Sequence, residues 1–182
     1  MDRFGVELRA EVSGNTLAGH AAVFGSHADM QSHYEAIAPE AFDETLRRGE
    51  DVLSFWNHDT GLVLGSTRAK TLRLEVDERG LAFELDLPDT SYARDLKELV
   101  ARCDVKAMSF GFLPGDDQWT RARDGRRLRT HTNVKRLVEV SPVALPAYEG
   151  TEVYLRHMTF DRPRPSLREQ LVRLRAADLL KG

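Results

Sequence analysis

The sequence predicts a mostly β protein, an antiparallel β-barrel of six to eight strands with about three surrounding helices. Two observations predict this class. Short segments that alternate apolar and polar residues recur along the 182-residue chain, and turn signals such as 77–80 (Asp-Glu-Arg-Gly) separate them. Because half-buried strands joined by short turns must cover one face and protect their edges, a β-barrel or closed sheet is expected.

The alternating segments give the predicted strands in chain order. They are residues 4–12, 16–24, 52–58, 71–76, 81–87, 106–112, 118–122, 126–130 and 133–145. The first two flank a Ser-Gly-Asn turn and predict an opening hairpin, and 118–122 with 126–130 predict an exposed, charged hairpin. The polar residues 25–34 predict a loop.

Start and stop signals predict three helices. Pro39 suits a first helical position and Gly49 a stop, which predicts a short helix between them. Asp89 or Thr90 can cap a helix that runs to about Arg102, and a cap at Ser166 predicts a helix near the C-terminus. The last of these lies in a separate region, because the breaker 163–165 (Pro-Arg-Pro) precedes it.

Composition limits the possible classes of protein. We expect one domain over residues 1–161 and a basic helical tail over 162–182, which holds six basic and two acidic residues while the whole chain has a formal charge of -3. The tail contains no aromatic residue that could stack on bases, so no nucleic-acid partner is expected. No leader or membrane-length apolar run is seen, and one cysteine excludes an internal disulfide, which together predict a protein of a reducing cytoplasm.

Residues 106–112 (Lys-Ala-Met-Ser-Phe-Gly-Phe) are the candidate nucleophile segment. Period-2 alternation places Met108, Phe110 and Phe112 on a core face. Ser109 falls on the other face between Ala107 and Gly111. These small side chains leave room beside the hydroxyl for a catalytic base and a substrate backbone, although a serine in this setting is also compatible with an ordinary exposed strand face.

A base and an acid occur at other predicted strand positions. A serine hydroxyl needs a base within hydrogen-bond reach, and the base needs a third group that holds its tautomer and stabilises its charge. His58, Ser109 and Glu139 supply these three functions. Asp59 competes for the third place, but adjacent strand residues point to opposite faces, which makes it less suited to hold the His58 ring.

Other chemistries have weaker support in the sequence. The segment 57–59 (Asn-His-Asp) could be part of a metal site, as in a metal-dependent nuclease, but no further ligands stand at a recognisable spacing. No phosphate-binding Gly-x-x-x-x-Gly-Lys loop and no Gly-x-Ser-x-Gly elbow is present. We therefore expect no metal and no other cofactor.

Several motifs stand in one order over roughly residues 4–155. They are 19–24 (Gly-His-Ala-Ala-Val-Phe), 37–42 (Ile-Ala-Pro-Glu-Ala-Phe), 56–59 (Trp-Asn-His-Asp), the strand with Gly65, 77–81 (Asp-Glu-Arg-Gly-Leu), 108–112 (Met-Ser-Phe-Gly-Phe) and 137–148 (Leu-Val-Glu-Val-Ser-Pro-Val-Ala-Leu-Pro-Ala-Tyr). With these motifs the chain resembles the prohead (capsid maturation) proteases of tailed bacteriophages that are paired with HK97-type capsid proteins. Glu40 departs from the glycine that relatives often have there.

The resemblance implies a serine endopeptidase with a herpesvirus-assemblin-like β-barrel. It maps the nucleophile onto Ser109, the base onto His58 and the third member onto Glu139, where the herpesvirus enzymes use a second histidine. The implied substrates are the major capsid protein or its scaffolding segment, and the protease itself by autocleavage. The implied place of action is the immature capsid in the bacterial cytoplasm, with a homo-oligomer as a possible state.

The resemblance also carries expectations about the surroundings of Ser109. We expect Ala107, Phe110 and Gly111 to line the substrate path, and a bulky residue at Gly111 to obstruct His58 or substrate. By analogy with assemblin, backbone amides near residues 146–149 are candidates for the oxyanion hole. The competing functional hypothesis is a catalytically silent assembly factor that uses the same barrel as a scaffold or chaperone for capsid protein.

Overall fold

The computed structural model describes residues 14–144, which form eleven β-strands, a short 3₁₀ helix and two α-helices. The strands are β1 Thr16–Val23, β2 His27–Asp29, β3 Tyr34–Ile37, β4 Leu53–Trp56, β5 Asp59–Ser66, β6 Leu72–Val76, β7 Gly80–Asp86, β8 Ala107–Pro114, β9 Asp117–Arg121, β10 Arg127–His131 and β11 Val134–Val143. The helices are the 3₁₀ helix Pro39–Phe42, α1 Asp43–Arg48 and α2 Ser91–Ala101. The mostly β prediction is confirmed.

The described strands form three sheets, with the orders β1-β7-β6, β2-β3-β10-β9 and β5-β4-β11-β8. Most pairs are antiparallel, but β10 with β3 and β11 with β4 are parallel. The expected count of six to eight strands was too low. The structure has more strands because the segment 25–34, predicted as a loop, contains β2, and because the four-residue β3 and the eight-residue β5 were not among the predicted alternating segments.

Two of the sheets lie edge to edge without forming a closed barrel within residues 14–144. β1 contacts β8, and β5 contacts both β6 and β7. No ladder of backbone hydrogen bonds joins these strands in the described region. The first strand of the predicted opening hairpin, residues 4–12, lies outside the described residues, as does the tail predicted at 162–182.

The two predicted helices of the described region are present, and their ends follow the expected chemistry. Gly49 ends α1 with a φ of 64°, a left-handed conformation that costs glycine little. The Thr90 hydroxyl caps α2 by accepting from the Ala93 amide. α2 buries Leu96 and Val100 against the core, and no helix of the described region is long and apolar enough to cross a membrane.

A β-bulge in β11 decides which of its side chains enter the core. Phe112 of β8 pairs with Leu137, while Gly111 pairs with Glu139, so Val138 is an extra residue on β11. Simple alternation predicts Leu137 on the same face as Glu139. The extra residue instead lets Leu137 enter the core while Glu139 faces the other side.

The sheet β2-β3-β10-β9 contains a buried ionic cluster that the sequence patterns did not reveal. Glu35 is buried, and its Oε1 lies 3.2 Å from His33 Nε2 and 3.3 Å from Arg129 Nη1. Its Oε2 lies 3.5 Å from Nε2 of the fully buried His131. The parallel pairing of β3 with β10 brings these groups together.

Acid is expected to weaken the fold through Glu35. Burial alone would raise the pKa of this carboxyl, but His131, His33 and Arg129 outweigh burial and lower the pKa from 4.5 to about 2. A lowered folded-state pKa stabilises the fold above about pH 4.5, and this stabilisation is lost as the pH falls toward 2. Urea unfolding at pH 5 and pH 2.5 should therefore show a larger loss for the unaltered protein than for Glu35→Gln. Equal losses in the two proteins would contradict this.

Candidate active site

The three predicted catalytic residues map to neighbouring parts of one sheet. β11, which carries Glu139, lies between β8, which carries Ser109, and β4, which leads to His58. In the antiparallel β8–β11 pair, Ser109 is opposite Ser141 and Gly111 is opposite Glu139. Opposite residues of such a pair share a face of the sheet, so Ser109 and Glu139 project from the same side.

His58 lies in the tight turn of a hairpin rather than in the strand where it was predicted. Trp56 of β4 pairs with Asp59 of β5, which leaves Asn57 and His58 as a two-residue loop. Their φ angles are 52° and 60°, and two successive positive values are typical of a type I′ turn. Asn and His enter this region more readily than most residues. The turn places His58 beyond the end of β4, in the loop that joins it to β5.

Asn57 attaches this turn to the strand of Glu139. Its amide donates to the Pro142 carbonyl at 3.0 Å, and its side-chain Oδ1 accepts from the Ala144 amide at 2.9 Å. Both partners follow Glu139 by a few residues along the chain. The position of His58 relative to β11 is therefore set by the backbone and side-chain hydrogen bonds of Asn57 as well as by the His58 side chain.

His58 and Glu139 form a direct hydrogen bond. His58 Nδ1 lies 2.8 Å from Glu139 Oε1. The carboxyl group is buried, with Glu139 2% exposed, while the His58 side chain is 19% exposed. An ionised Glu139 can only accept, so Nδ1 carries the hydrogen and Nε2 is left as the nitrogen that can take a proton. This is the tautomer that a general base requires.

Ser109 lies on the same face but does not complete a hydrogen-bonded chain. It is 8% exposed, and among the described residues no hydrogen bond joins its hydroxyl to His58. Catalytic contacts of this kind are often long in unliganded enzymes and shorten when substrate binds. The structure thus pairs the predicted base with the predicted acid and positions the predicted nucleophile on the adjacent strand.

Gly111 leaves the space that the Glu139 side chain occupies. A Cβ at Gly111 would lie 2.8 Å from Glu139 Cγ and 3.0 Å from its Oε1. Such contacts are too short to persist without movement of Glu139. The group that a larger residue at Gly111 would meet first is therefore the acid, rather than His58 or substrate as the sequence suggested.

The other two predicted substrate-lining residues differ in their surroundings. Ala107 is buried on the Ser109 face and pairs with Val143. Phe110 is buried in the core, with its ring edge-on to Phe42 at a centroid distance of 5.8 Å. Phe110 could contact substrate only through its backbone. A role for these residues in substrate binding stays a prediction, and the oxyanion-hole candidates at 146–149 lie outside the described residues.

Contacts among the described residues support neither Asp59 as the third catalytic residue nor a metal site at 57–59. Asp59 is exposed, and its Oδ1 accepts from the Gly61 amide at 2.8 Å instead of approaching the His58 ring. Between residues 14 and 144, no group of three or more His, Cys, Asp or Glu side chains is arranged to hold a metal ion.

Two further residues of this site were not assigned a function from the sequence. Asn57 holds the turn against β11. The sequence indicated this only through the presence of asparagine, which favours positive φ, next to the candidate histidine. Ser141 donates from Oγ to Glu139 Oε2 at 2.7 Å. Its signal was the period-2 spacing that places it on the face of Glu139.

Comparison with known proteins matches the chain to a family model. No similar protein was found among curated sequences or solved structures. A family model described as caudovirus prohead serine protease matches residues 5–163, which is most of the chain and includes His58, Ser109 and Glu139. The chain therefore belongs to the caudovirus prohead serine protease family.

Proposed function

We propose that this protease uses Ser109 as nucleophile, His58 as general base and Glu139 as the group that orients and charge-stabilises the imidazole. The observation that carries the proposal is the 2.8 Å contact between His58 Nδ1 and Glu139 Oε1, on a strand that pairs with the strand of Ser109. A buried carboxylate in this position holds one ring nitrogen and leaves the other to act on a hydroxyl.

The proposed reaction has two stages. Ser109 Oγ attacks a peptide carbonyl while His58 Nε2 takes the hydroxyl proton, and the resulting imidazolium is stabilised by the ionised Glu139. His58 then gives the proton to the leaving amine, which departs and leaves an acyl-enzyme on Ser109. Water, deprotonated by His58, hydrolyses the ester and restores the serine.

An extended substrate segment fits the position of β8. Within residues 14–144 this strand ends the hydrogen-bonded order β5-β4-β11-β8, and we place the substrate along the part of its outer edge that β1 does not contact. Strand addition aligns a scissile bond while making few demands on sequence. An assemblin-like barrel is part of this proposal, supported by the contacts of β1 with β8 and of β5 with β6 and β7.

The family implies capsid-protein substrates within the prohead. We extend this to the scaffolding segment or N-terminal extension of the major capsid protein, and to autocleavage of the protease. Residues 162–182 are proposed as a docking or autocleaved segment, on the basis of their basic charge and the preceding Pro-Arg-Pro. A silent assembly factor is less well supported, because it has no need of a buried carboxylate held against a histidine.

Co-expression with the neighbouring capsid gene tests the proposal. We expect the unaltered protein to trim the capsid protein and Ser109→Ala to leave it at full length, because the alanine has no hydroxyl to form the acyl-enzyme. Gel mobility and mass spectrometry of assembled particles report the result. Equal trimming by the two proteins would rule out Ser109 as the nucleophile.

A further inference from the structure

Ser141 connects the acid of the site to the strand that precedes the base. It is fully buried on β11, two residues after Glu139. Its hydroxyl donates to Glu139 Oε2 at 2.7 Å and accepts from the Phe55 amide at 3.1 Å. Phe55 belongs to β4, which ends at the turn that holds His58.

The two hydrogen bonds fix the direction of the Ser141 hydroxyl. A serine hydroxyl has one hydrogen to donate and lone pairs to accept. The Phe55 amide is a donor and occupies a lone pair, so the single hydrogen remains available to Glu139. Reversing the hydroxyl would leave two hydrogens facing each other in a buried space, which is costly.

The contact also limits how the Glu139 carboxyl can rotate. Its Oε1 faces His58 Nδ1 and its Oε2 faces Ser141 Oγ. The terminal torsion of a glutamate is broad when nothing constrains it. Contacts to both oxygens keep Oε1 directed at the imidazole while the ring gains and loses its proton.

We propose that Ser141 is a positioning residue for catalysis, which holds Glu139 in the orientation that supports His58. The proposal rests on the proposed function, since it acts through the same pair. Ser141 lies opposite Ser109 in the β8–β11 register but has a separate task. Its hydroxyl is committed to Glu139 and Phe55, and the nucleophile remains Ser109.

The variants Ser141→Thr and Ser141→Val provide a matched test. Threonine keeps the hydroxyl and valine replaces it by a methyl group of nearly the same shape, so a difference between them reports the hydroxyl alone. The probe is a fluorophosphonate, which reacts with an activated serine without a protein substrate. We expect Ser141→Val to lower the maximal inactivation rate about 10- to 100-fold relative to Ser141→Thr, with little change in the probe concentration at half-maximal rate.

Further measurements separate positioning from a general structural effect. A folding defect would lower the fraction of protein that is labelled at saturation, whereas misorientation of Glu139 lowers the rate at a full labelled fraction. Should threonine prove too large for the site, Ser141→Ala is compared with the unaltered protein at matched thermal stability. We expect the same fall in rate for this variant.

The possible outcomes distinguish this proposal from the proposed function. Equal inactivation rates for Ser141→Thr and Ser141→Val, or an unchanged rate in Ser141→Ala where threonine does not fit, would overturn the positioning role and leave the catalytic proposal intact. Absence of labelling at Ser109 in the unaltered, proteolytically active protein would instead overturn the catalytic proposal itself.

Discussion

His58→Asn is expected to lower the rate of capsid-protein cleavage by roughly 10⁴- to 10⁶-fold, the range seen when a member of a serine-protease triad is lost. Asparagine cannot take the Ser109 proton in this position, so attack on the peptide carbonyl loses its base. Asparagine also tolerates the φ of 60° found at His58, which keeps the turn intact. Timed cleavage of purified capsid protein, followed on gels, gives the rates.

Asp59→Asn is the matched control for this change. This substitution removes the negative charge next to His58. The Asp59 carboxylate accepts a hydrogen bond from the Gly61 amide and makes none with His58. Cleavage by Asp59→Asn should stay within a few-fold of that by the unaltered protein. A large loss in Asp59→Asn together with a small one in His58→Asn would reverse the assignment and favour Asp59 as the functional group.

Gly111→Val is expected to reduce cleavage by about 100-fold or more while the protein remains folded. The new side chain overlaps the space of Glu139 Cγ and Oε1, so the acid must move and its contact with His58 is lost or lengthened. Overpacking of this kind costs about 1–3 kcal/mol of the free energy of unfolding, which most folded domains can absorb. Cleavage rate and thermal unfolding are measured on the same preparations.

Gly61→Val makes the same substitution at an exposed position of β5. A Cβ there meets Asp59 Oδ1 at 3.2 Å, and this is the end of a side chain that can turn aside. We expect Gly61→Val to keep most of the activity. A fully active Gly111→Val would show that Glu139 need not occupy the observed position.

Local patterns predicted those features of the fold and of the candidate site that depend on short segments. Alternation in 106–112 placed Ser109 opposite the core face, and this holds because β8 runs without interruption through Ser109 and Gly111. The ends of α1 and α2 followed from Gly49 and Thr90, whose effects act within one turn of helix. These features can be predicted without knowing which distant strands pair.

Other features depend on pairing between distant strands and were not accessible to local patterns. The bulge at Val138 exists only relative to β8, so alternation within β11 assigned Leu137 to the wrong face. The Glu35 cluster requires β3 to lie beside β10, some ninety residues later. The division into three sheets likewise depends on which distant strands pair.

The geometry of His58 combines both situations. The sequence predicted a polar strand end at 57–59. The structure shows that Asn57 and His58 form a two-residue turn there, both with positive φ. The hydrogen bonds from Asn57 to Pro142 and Ala144 then determine where the turn lies on β11. The pairing of His58 with Glu139 thus results from a local turn and a long-range attachment together.

Mapping the residue that a fluorophosphonate modifies is the most direct test of the central claim that His58 and Glu139 activate Ser109. The active protein is labelled, digested and analysed by tandem mass spectrometry. We predict a single adduct on Ser109 that is absent from His58→Asn under the same conditions. An adduct on another serine, or labelling of Ser109 at an undiminished rate in His58→Asn, would contradict the proposed mechanism.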